Sequence, residues 1–342
     1  MKSIVYRKTG DTSVLELVDK DLREPRPGEV RIKVVVSGVN PTDWKMRSGA
    51  TGQMAFPEVT PHQDGAGVVD AVGPDVDTVR PGDRVWTFLA ADGRPDGTAQ
   101  EYTLVPAGNV VKLPDDVSMD VGASLGVPAV TAHRALTVAE DGPQRLQPGA
   151  LTGRTVLVAG GAGAVGHAAV QLARWAGATV VATVSGLDKA RLASSAGAHQ
   201  VVNYRETGAA EAIRRAAPDG VDVIVEVAPA ANAELDLAVL RNAGTIAVYA
   251  NNGGSRMTLD VRSNMVLNAR WQFLLLYTVG RPALTAAVED ISAALRDGAL
   301  PVGAEHGLPL VRFPLAATAD AHAAVENETV GKVLVDVAEE GA

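Results

Sequence analysis

Residues 157–166 read LVAGGAGAVG, an apolar run that gives way to four glycines within seven residues. Gly161, Gly163 and Gly166 have the spacing G-x-G-x-x-G, and Gly160 adds a related G-x-x-G-x-x-G spacing. The spacing alone is weak, but here it follows a predicted buried strand and opens a predicted helix, which is the context of a dinucleotide-binding turn. In such a turn the first glycine permits a tight bend, the middle one lets the backbone reach a pyrophosphate, and the last lets helix and strand pack closely. The alternative is a glycine turn that binds nothing, and the context favours the dinucleotide site.

The end of the next predicted strand indicates which dinucleotide is bound. NAD sites usually carry Asp or Glu there, about 20 residues after the glycines, to bond the ribose 2′-hydroxyl. This strand is instead followed by Ser185, the nearest acid is Asp188, and Lys189 lies in the first turn of a predicted helix. A hydroxyl and a cation suit a 2′-phosphate, which a carboxylate would repel. Ser185, Lys189 and Tyr204 therefore predict an NADPH pocket, with a solvated surface lysine as the alternative for Lys189.

The pattern of predicted elements changes after about residue 115. Before it, short β-branched and aromatic runs separated by Gly, Pro and Asp predict a β-rich, barrel-like domain, with strands at 29–40, 65–73, 82–88 and 99–106. From Thr155 onward, apolar strands alternate with helices, which predicts an α/β doubly wound parallel sheet. The predicted strands are 155–159, 179–184, 200–204, 221–227 and 244–250, with a terminal strand at 332–337. The predicted helices are 122–136 (capped by Ser118), 164–176, 187–195, 209–217, 233–241 and 282–296.

Composition excludes several classes of function. The 342 residues include 31 Lys and Arg against 40 Asp and Glu, a formal charge of −9 that disfavours binding to nucleic acid. The absence of Cys excludes disulfides, thiolate nucleophiles and thiolate zinc ligands, and the six His are scattered, so no catalytic metal is expected. There is no apolar segment of signal-peptide length at the N-terminus and no run that approaches 18 apolar residues. We therefore expect a cytoplasmic protein without a membrane span.

A set of motifs, in order along nearly the whole chain, carries a family resemblance. They lie at residues 38–49 (GVNPTDWKMRSG), 61–73 (PHQDGAGVVDAVG), 82–85 (GDRV), 127–136 (VPAVTAHRAL), 157–166, 197–206 and 331–336. With these motifs the chain resembles the NADPH:quinone oxidoreductases, the zeta-crystallin-like family of the medium-chain dehydrogenase/reductase superfamily. The resemblance implies a discontinuous GroES-like catalytic domain, residues 1–126 and 276–342, and a Rossmann NADPH-binding domain, residues 127–275, with the active cleft between them. It also implies a homodimer formed through the apolar segment 269–279, which we expect to be a strand whose edge a partner covers.

The resemblance assigns roles to individual residues. The pyrophosphate would be bound by the glycine turn, that is by Gly161, Ala162, Gly163, Ala164, Val165 and Gly166. The ribose phosphate would be held by Ser185, Lys189 and Tyr204, in agreement with the prediction from the residues themselves. The nicotinamide half would be bordered by Tyr249, Asn251, Asn252, Leu274 and Leu276, and Lys332 in the closing GKVLVD is also expected to bind the cofactor. Asn40 matches a pocket asparagine.

Two departures from the family pattern affect the expected substrate pocket. Lys45 replaces a pocket tyrosine, with Trp44 beside it, and His62 replaces a glycine in the loop that leads to Asp64. We predict Asn40 and Lys45 as catalytic hydrogen-bond donors to the developing oxygen, Trp44 as a wall of the pocket, and Asp64 as a residue that orients its neighbours. Alternatively, the Asn40 side chain only holds the turn before Pro41, Lys45 is a solvated surface lysine, and Trp44 fills the core.

Three functions are compatible with these features. The leading hypothesis is a zinc-independent, NADPH-dependent reductase of quinones or other conjugated carbonyls, because a conjugated acceptor takes hydride from nicotinamide C4 without a Lewis acid. An enoyl or alkenal reductase of a biosynthetic pathway is the second, and the same residues support it. A non-catalytic NADPH-binding protein with a sensor or structural role is the third.

Overall fold

The computed structural model describes residues 1–340 of the chain. It divides into two compact units, the first formed by Met1–Val127 with the C-terminal segment from Leu310, and the second by Pro128–Pro309. The predicted boundary at 126 and 127 differs from this division by one residue, whereas the predicted return at 276 lies well before Leu310. The difference arises because Asp290, in the helix Arg281–Arg296, accepts hydrogen bonds from His133 and Arg145 of the second unit.

The order of elements is as follows. Within the described residues the strands are β1 (Lys2–Val5), β2 (Glu16–Asp19), β3 (Glu29–Val39), β4 (Asp64–Val72), β5 (Arg84–Thr87), β6 (Tyr102–Pro106), β7 (Val110–Lys112), β8 (Thr155–Ala159), β9 (Thr179–Val184), β10 (Gln200–Asn203), β11 (Val221–Glu226), β12 (Leu240–Val248), β13 (Arg270–Phe273), β14 (Leu310–Pro314) and β15 (Lys332–Asp336). The helices are α1 (Pro41–Ser48), α2 (Met119–Leu136), α3 (Ala164–Trp175), α4 (Leu187–Ser195), α5 (Ala209–Ala216), α6 (Pro229–Val239), α7 (Val261–Leu267), α8 (Arg281–Arg296) and α9 (Thr318–Glu326). Single 3-10 turns lie at Thr12–Val14, Ala107–Asn109, Leu276–Thr278, Ala304–His306 and Leu315–Ala317.

The first unit is built on a seven-stranded sheet in the order β14-β15-β3-β4-β5-β7, with β6 paired to β3. β3 is its longest strand, and it pairs with β15, β4 and β6 in antiparallel fashion. Val30 and Ile32 of β3 pack with Val69 and Val85 in one buried apolar cluster. β3 ends at Val39, so Asn40 lies where the central strand of this unit meets α1.

The second unit contains a six-stranded sheet in the order β10-β9-β8-β11-β12-β13, and every neighbouring pair is parallel. The central strands are nearly continuous Val, Ile, Leu and Ala because they are buried, as parallel strands usually are. The chain runs outward from β8 in one direction and returns to β11 on the other side, which is the strand order of dinucleotide-binding sheets. The carboxyl ends of β8 and β11 therefore mark the point where ligands bind in such folds.

Several elements differ from the predictions, among them β12, which spans Leu240–Val248 rather than 244–250. The strand expected over 269–279 ends at Phe273, because its partner β12 ends at Val248 and no ladder continues beyond the bond from the Leu274 N–H to the Val248 carbonyl. α6 begins at Pro229 rather than at 233, since proline suits the first turn of a helix. Seven elements are not predicted at all, namely β1, β2, β7, β14, α1, α7 and α9, although Pro41 again opens α1.

Among residues 1–340, no helix combines the length and the apolar character that a membrane span requires.

Candidate functional site

The bend of the glycine turn lies one residue earlier than predicted. Gly160 has a φ of 70°, in the left-handed region that favours glycine, whereas Gly161 does not. The N–H groups of Gly160 and Gly161 both donate to the carbonyl oxygen of Thr183 in β9, at 3.0 and 3.1 Å. The turn is thus fixed to the neighbouring strand before α3 begins at Ala164.

Two of the three motif glycines are required by protein packing and one is not. A Cβ at Gly161 would lie 2.7 Å from the Cβ of Ala182, and one at Gly166 would overlap the carbonyl oxygen of Gly160. At Gly163 the nearest protein atom would be 3.5 Å away, an ordinary contact distance. The space beside Gly163 is therefore compatible with a ligand that approaches the backbone closely.

The start of α3 supplies unpaired hydrogen-bond donors. Gly163 is the N-cap residue, and its carbonyl oxygen accepts from the His167 N–H at 2.7 Å. Within residues 1–340, no protein atom accepts from the N–H groups of Ala164, Val165 and Gly166, and no acidic side chain lies in this first turn. Such free N–H groups at the positive end of the helix dipole favour an anion. The turn, in which Ala162 is buried, therefore fits the pyrophosphate of a dinucleotide.

Ser185 and Tyr204 lie side by side at the carboxyl ends of β9 and β10. The Tyr204 N–H donates to the carbonyl oxygen of Val184, the residue before Ser185, and the Tyr204 side chain is 43% exposed. Lys189 lies in the first turn of α4 and has no carboxylate partner among the described residues. Asp188 is paired instead with Arg191 at 2.8 Å and its side chain is 94% exposed. This group of one hydroxyl, one phenol and one lysine therefore has the donors that a 2′-phosphate requires.

The predicted nicotinamide-side residues follow the neighbouring strands at the same edge of the sheet. The N–H groups of Tyr249 and Asn252 donate to the carbonyl oxygens of Glu226 and Val227, at 3.0 Å each. Burial, followed by the charge of Glu226, raises the pKa of Tyr249, so the phenol is neutral at physiological pH. Leu274 extends the pairing of β13 by one bond. The structure thus brings this second group to the carboxyl edge shared with the glycine turn, with Asn251 and Asn252 exposed and Leu276 buried in a 3-10 turn.

In the first unit, Asn40, Asp64 and Lys332 form one buried polar cluster. The Asn40 amide nitrogen donates to Asp64 Oδ2 at 2.6 Å, and Lys332 Nζ donates to Asn40 Oδ1 at 2.8 Å. Lys332 Nζ lies 3.7 Å from Asp64 Oδ2, and Asp64 Oδ1 accepts from the Val127 N–H at 2.8 Å. Burial raises the pKa of Asp64 and lowers that of Lys332. Asp64 contacts Asn40 directly, as the predicted orienting role requires, and Lys332, expected to bind cofactor, lies against Asn40.

Asp43 belongs to the same cluster and was missed by the sequence interpretation. Its carboxylate accepts from the backbone N–H of Asn40 at 2.7 Å, so Asn40 is the N-cap of α1 as well as a member of the cluster. Burial raises the pKa of Asp43 to about 8, although this N–H donor stabilises its charged form. The signal was present in the sequence, because an Asn followed three residues later by an acid is a typical helix start.

Trp44 and Lys45 lie next to each other on α1, and both are half-buried. Lys45 Nζ lies 5.9 Å from the centroid of the Trp44 ring, within the range of a cation–π contact. Their intermediate burial leaves both the predicted pocket roles and the alternatives open.

His62 is buried beside a second histidine that the sequence did not single out. His62 Nδ1 lies 2.8 Å from Ser37 Oγ, and its Nε2 lies 3.0 Å from His322 Nε2. Burial lowers the pKa of His62 well below its usual value and that of His322 to about 3, so both rings are neutral. His62 has a φ of 82°, which matches the glycine that the family has at this position. No group of three His, Asp or Glu side chains that could hold a metal ion occurs within residues 1–340.

Comparison with known proteins identifies the family. Two family models match the chain, an alcohol dehydrogenase GroES-like domain over residues 26–115 and a zinc-binding dehydrogenase over residues 164–293. The quinone oxidoreductase of Lama guanicoe is 32% identical over 98% of this chain and 97% of its own. The chain belongs to the quinone oxidoreductase family of medium-chain dehydrogenases/reductases. The predicted resemblance and the GroES-like plus Rossmann fold class are thereby confirmed.

Two further proteins are similar to this chain over nearly its whole length. The 2-haloacrylate reductase of a Burkholderia species is 30% identical and the match covers 98% of each chain. A mycobacterial protein solved in complex with NADPH superposes with a TM-score of 0.81 at 30% identity, covering 98% of this chain and 99% of the other.

Alanine substitutions in the glycine turn separate folding from ligand binding. We expect Gly163→Ala to leave the free energy of unfolding within about 1 kcal/mol of wild type, since its Cβ meets no close protein atom. The same variant should weaken NADPH binding about tenfold or more, because the methyl group occupies space beside the free N–H groups. Urea unfolding and fluorescence titration with NADPH measure the two effects.

Gly166→Ala is the matched control for this prediction. Its Cβ would overlap the carbonyl oxygen of Gly160, so we expect a loss of about 2–3 kcal/mol of stability. Equal NADPH affinity in Gly163→Ala and wild type would contradict the assignment of the turn to the pyrophosphate.

Proposed function

We propose that the protein is a zinc-independent, NADPH-dependent reductase of quinones or other conjugated carbonyls. The observation that carries the proposal is that two groups of donors occur at one edge of the six-stranded sheet. The first is the set of unpaired N–H groups at the start of α3, and the second consists of Ser185, Lys189 and Tyr204. The first group suits a pyrophosphate and the second suits a 2′-phosphate. Membership of the quinone oxidoreductase family and the NADPH complex of the mycobacterial neighbour support the same cofactor.

The residues of the second unit would bind and orient the cofactor. The turn Gly161–Gly166 holds the pyrophosphate, Ser185 and Tyr204 donate hydrogen bonds to the 2′-phosphate, and Lys189 neutralises its charge. Tyr249, Asn251 and Asn252, with Leu274 and Leu276, border the nicotinamide half. When bound, NADPH supplies the hydride that is transferred from nicotinamide C4.

The residues of the first unit would act on the acceptor oxygen. The Asn40 amide nitrogen carries two hydrogens, of which Asp64 accepts one, and the other donates to the oxygen on which negative charge develops. Lys45 supplies a second donor and a proton source, and Trp44 forms an apolar wall against a planar substrate. The burial of Asn40 and Asp64 excludes water, which strengthens each of these hydrogen bonds.

The donor set supports chemistry without zinc. The chain has no cysteine, and both ring nitrogens of His62 are engaged by Ser37 and His322. A conjugated acceptor compensates for the missing Lewis acid, because the added electron pair is delocalised onto its oxygen and only hydrogen bonding is needed there.

A reductase of conjugated carboxylates or thioesters is the second candidate. The Burkholderia relative, which matches over 98% of each chain, bears the name of a 2-haloacrylate reductase, and 2-haloacrylate is an α,β-unsaturated carboxylate. The half-buried ammonium of Lys45 would suit an acceptor of that charge.

An acceptor panel tests the proposal. We expect wild-type protein to oxidise NADPH with 1,4-naphthoquinone, and to do so at an unchanged rate after incubation with EDTA. Activity with 2-chloroacrylate or an enoyl thioester, but not with the quinone, would favour the second candidate. Tight NADPH binding without turnover on the whole panel would favour the non-catalytic hypothesis, and loss of activity in EDTA would contradict zinc independence.

A charge reversal tests the 2′-phosphate pocket. We expect Lys189→Glu to weaken NADPH binding about tenfold or more, because it replaces an attractive charge with a repulsive one, and to change NADH binding less than about twofold. The control is Arg296→Glu, which makes the same change of charge. Arg296 lies next to Asp297, whose carboxylate accepts from the Trp175 indole at the far end of α3, away from the glycine turn. Calorimetric titration measures all affinities, and an equal loss for both coenzymes in Lys189→Glu would contradict the pocket.

We also propose that the protein is a homodimer formed through the edge of β13. This strand pairs with β12 on one side only, and Phe273 and Leu275 beside the free edge are 59% and 58% exposed. An exposed apolar strand edge of this kind usually pairs with another strand. Light scattering at micromolar concentration should give twice the 35.3 kDa chain mass for wild type and for the control Val330→Glu. The double variant Phe273→Glu/Leu275→Glu should give the mass of a single chain. A monomeric wild type would contradict the proposal.

A further inference from the structure

The side-chain amide of Asn40 is held between two opposite charges. Lys332 Nζ donates to its oxygen at 2.8 Å, and Asp64 Oδ2 accepts from its nitrogen at 2.6 Å. The residues Asn40, Asp64 and Lys332 are 2%, 0% and 1% exposed, so water does not screen these contacts. Asp43 fixes the backbone of the same residue, since its carboxylate accepts from the Asn40 N–H.

This arrangement allows only one orientation of the amide. A rotation by half a turn would place the amide NH₂ group against the Lys332 ammonium and the amide oxygen against the Asp64 carboxylate. Both contacts would then be repulsive in a buried environment, where unpaired polar groups are most costly. The two charges together therefore fix the direction in which the remaining amide hydrogen of Asn40 points.

The backbone at Gly126 leaves room for the Asp64 carboxylate. A Cβ at Gly126 would overlap Asp64 Oδ1, whereas at Gly38 a Cβ would overlap the Ala123 carbonyl oxygen and lie 3.2 Å from Lys332 Nζ. A buried ion pair contributes less to stability than an apolar replacement of the same shape often does. An explanation for the pair other than stability is therefore needed, and the fixed amide supplies one.

We propose that Lys332 is a positioning residue for the reaction, which acts by holding the Asn40 amide with one N–H free for the oxygen of the acceptor. The proposal rests on the proposed function, because it assumes that Asn40 donates to that oxygen. It replaces the expectation that Lys332 contacts the cofactor. It also gives Asp64 and Lys332 complementary tasks, since one binds the amide nitrogen and the other the amide oxygen.

A double-mutant cycle tests the proposal with NADPH and 1,4-naphthoquinone. We expect Lys332→Met, which removes the donor but keeps an unbranched side chain, to lower kcat about tenfold or more. The Kd for NADPH should stay within about twofold of wild type, since no coenzyme contact is lost. In the Asn40→Ala background, Lys332→Met should cost no further activity, because its effect passes through Asn40. Lys332→Gln keeps a neutral donor and should recover part of the loss, and the surface control Lys112→Met should match wild type.

Three results would overturn the proposal. If the fold-decrease in kcat of the double variant equals the product of the fold-decreases of Asn40→Ala and Lys332→Met, then Lys332 acts independently of Asn40. A tenfold rise in the NADPH Kd of Lys332→Met would return Lys332 to the cofactor site. Failure of Lys332→Gln to recover any activity over Lys332→Met, with both variants folded by circular dichroism, would show that the donated hydrogen bond is not what matters.

Two further measurements keep the test decisive. If Lys332→Met does not fold, Lys332→Gln replaces it in the double-mutant cycle. It should then cost no further activity in the Asn40→Ala background. If wild-type protein does not oxidise NADPH with any acceptor, the proposed function fails, and crystal structures test the positioning separately. The proposal then predicts that the Asn40 amide rotates away from its wild-type orientation in Lys332→Gln or Lys332→Met, and an unchanged amide would contradict it.

Discussion

The close approach of the first turn of α3 to the glycine turn before it determines the geometry of the second unit. Gly166 packs against the carbonyl oxygen of Gly160 at a distance that no side chain would permit, and Gly160 and Gly161 are both bound to Thr183 of β9. This contact places the amino end of the helix at the carboxyl edge of the parallel sheet. The N–H groups that remain unpaired there create a local positive potential in a chain whose formal charge is −9. The proposed cofactor site depends on this one backbone contact.

The second unit was largely predictable because its signals are local. Continuous Val and Ile runs marked β8, β9 and β11, and α4 was predicted with the bounds that the structure has. Errors occurred where an element depends on a distant partner. The strand expected over 269–279 ends early because β12 stops beside it, and nothing within that apolar segment indicates the length of its neighbour. The bend at Gly160 was assigned to Gly161 because the spacing of glycines does not reveal which of them has a positive φ.

The polar cluster of the first unit was only partly predictable. Asn40 and Asp64 were assigned to the substrate pocket and Lys332 to the cofactor. Lys332 joins the other two from 292 residues beyond Asn40, at the start of an apolar strand where a lysine is usually solvated. His322 reaches His62 from 260 residues away in the same manner. Contacts of this kind depend on the pairing of β15 with β3, which brings the end of the chain beside its beginning. No periodicity within either segment contains that information.

An anionic coenzyme with an extra phosphate is proposed to bind at the edge of the six-stranded sheet. Titration of the wild-type protein with 2′,5′-ADP and with 5′-AMP tests this most directly, because the two ligands differ in the 2′-phosphate and neither carries a nicotinamide. We expect 2′,5′-ADP to bind about tenfold or more tightly than 5′-AMP, since Ser185, Lys189 and Tyr204 are proposed to contact only the additional phosphate. Equal affinities, or no binding of 2′,5′-ADP, would contradict it.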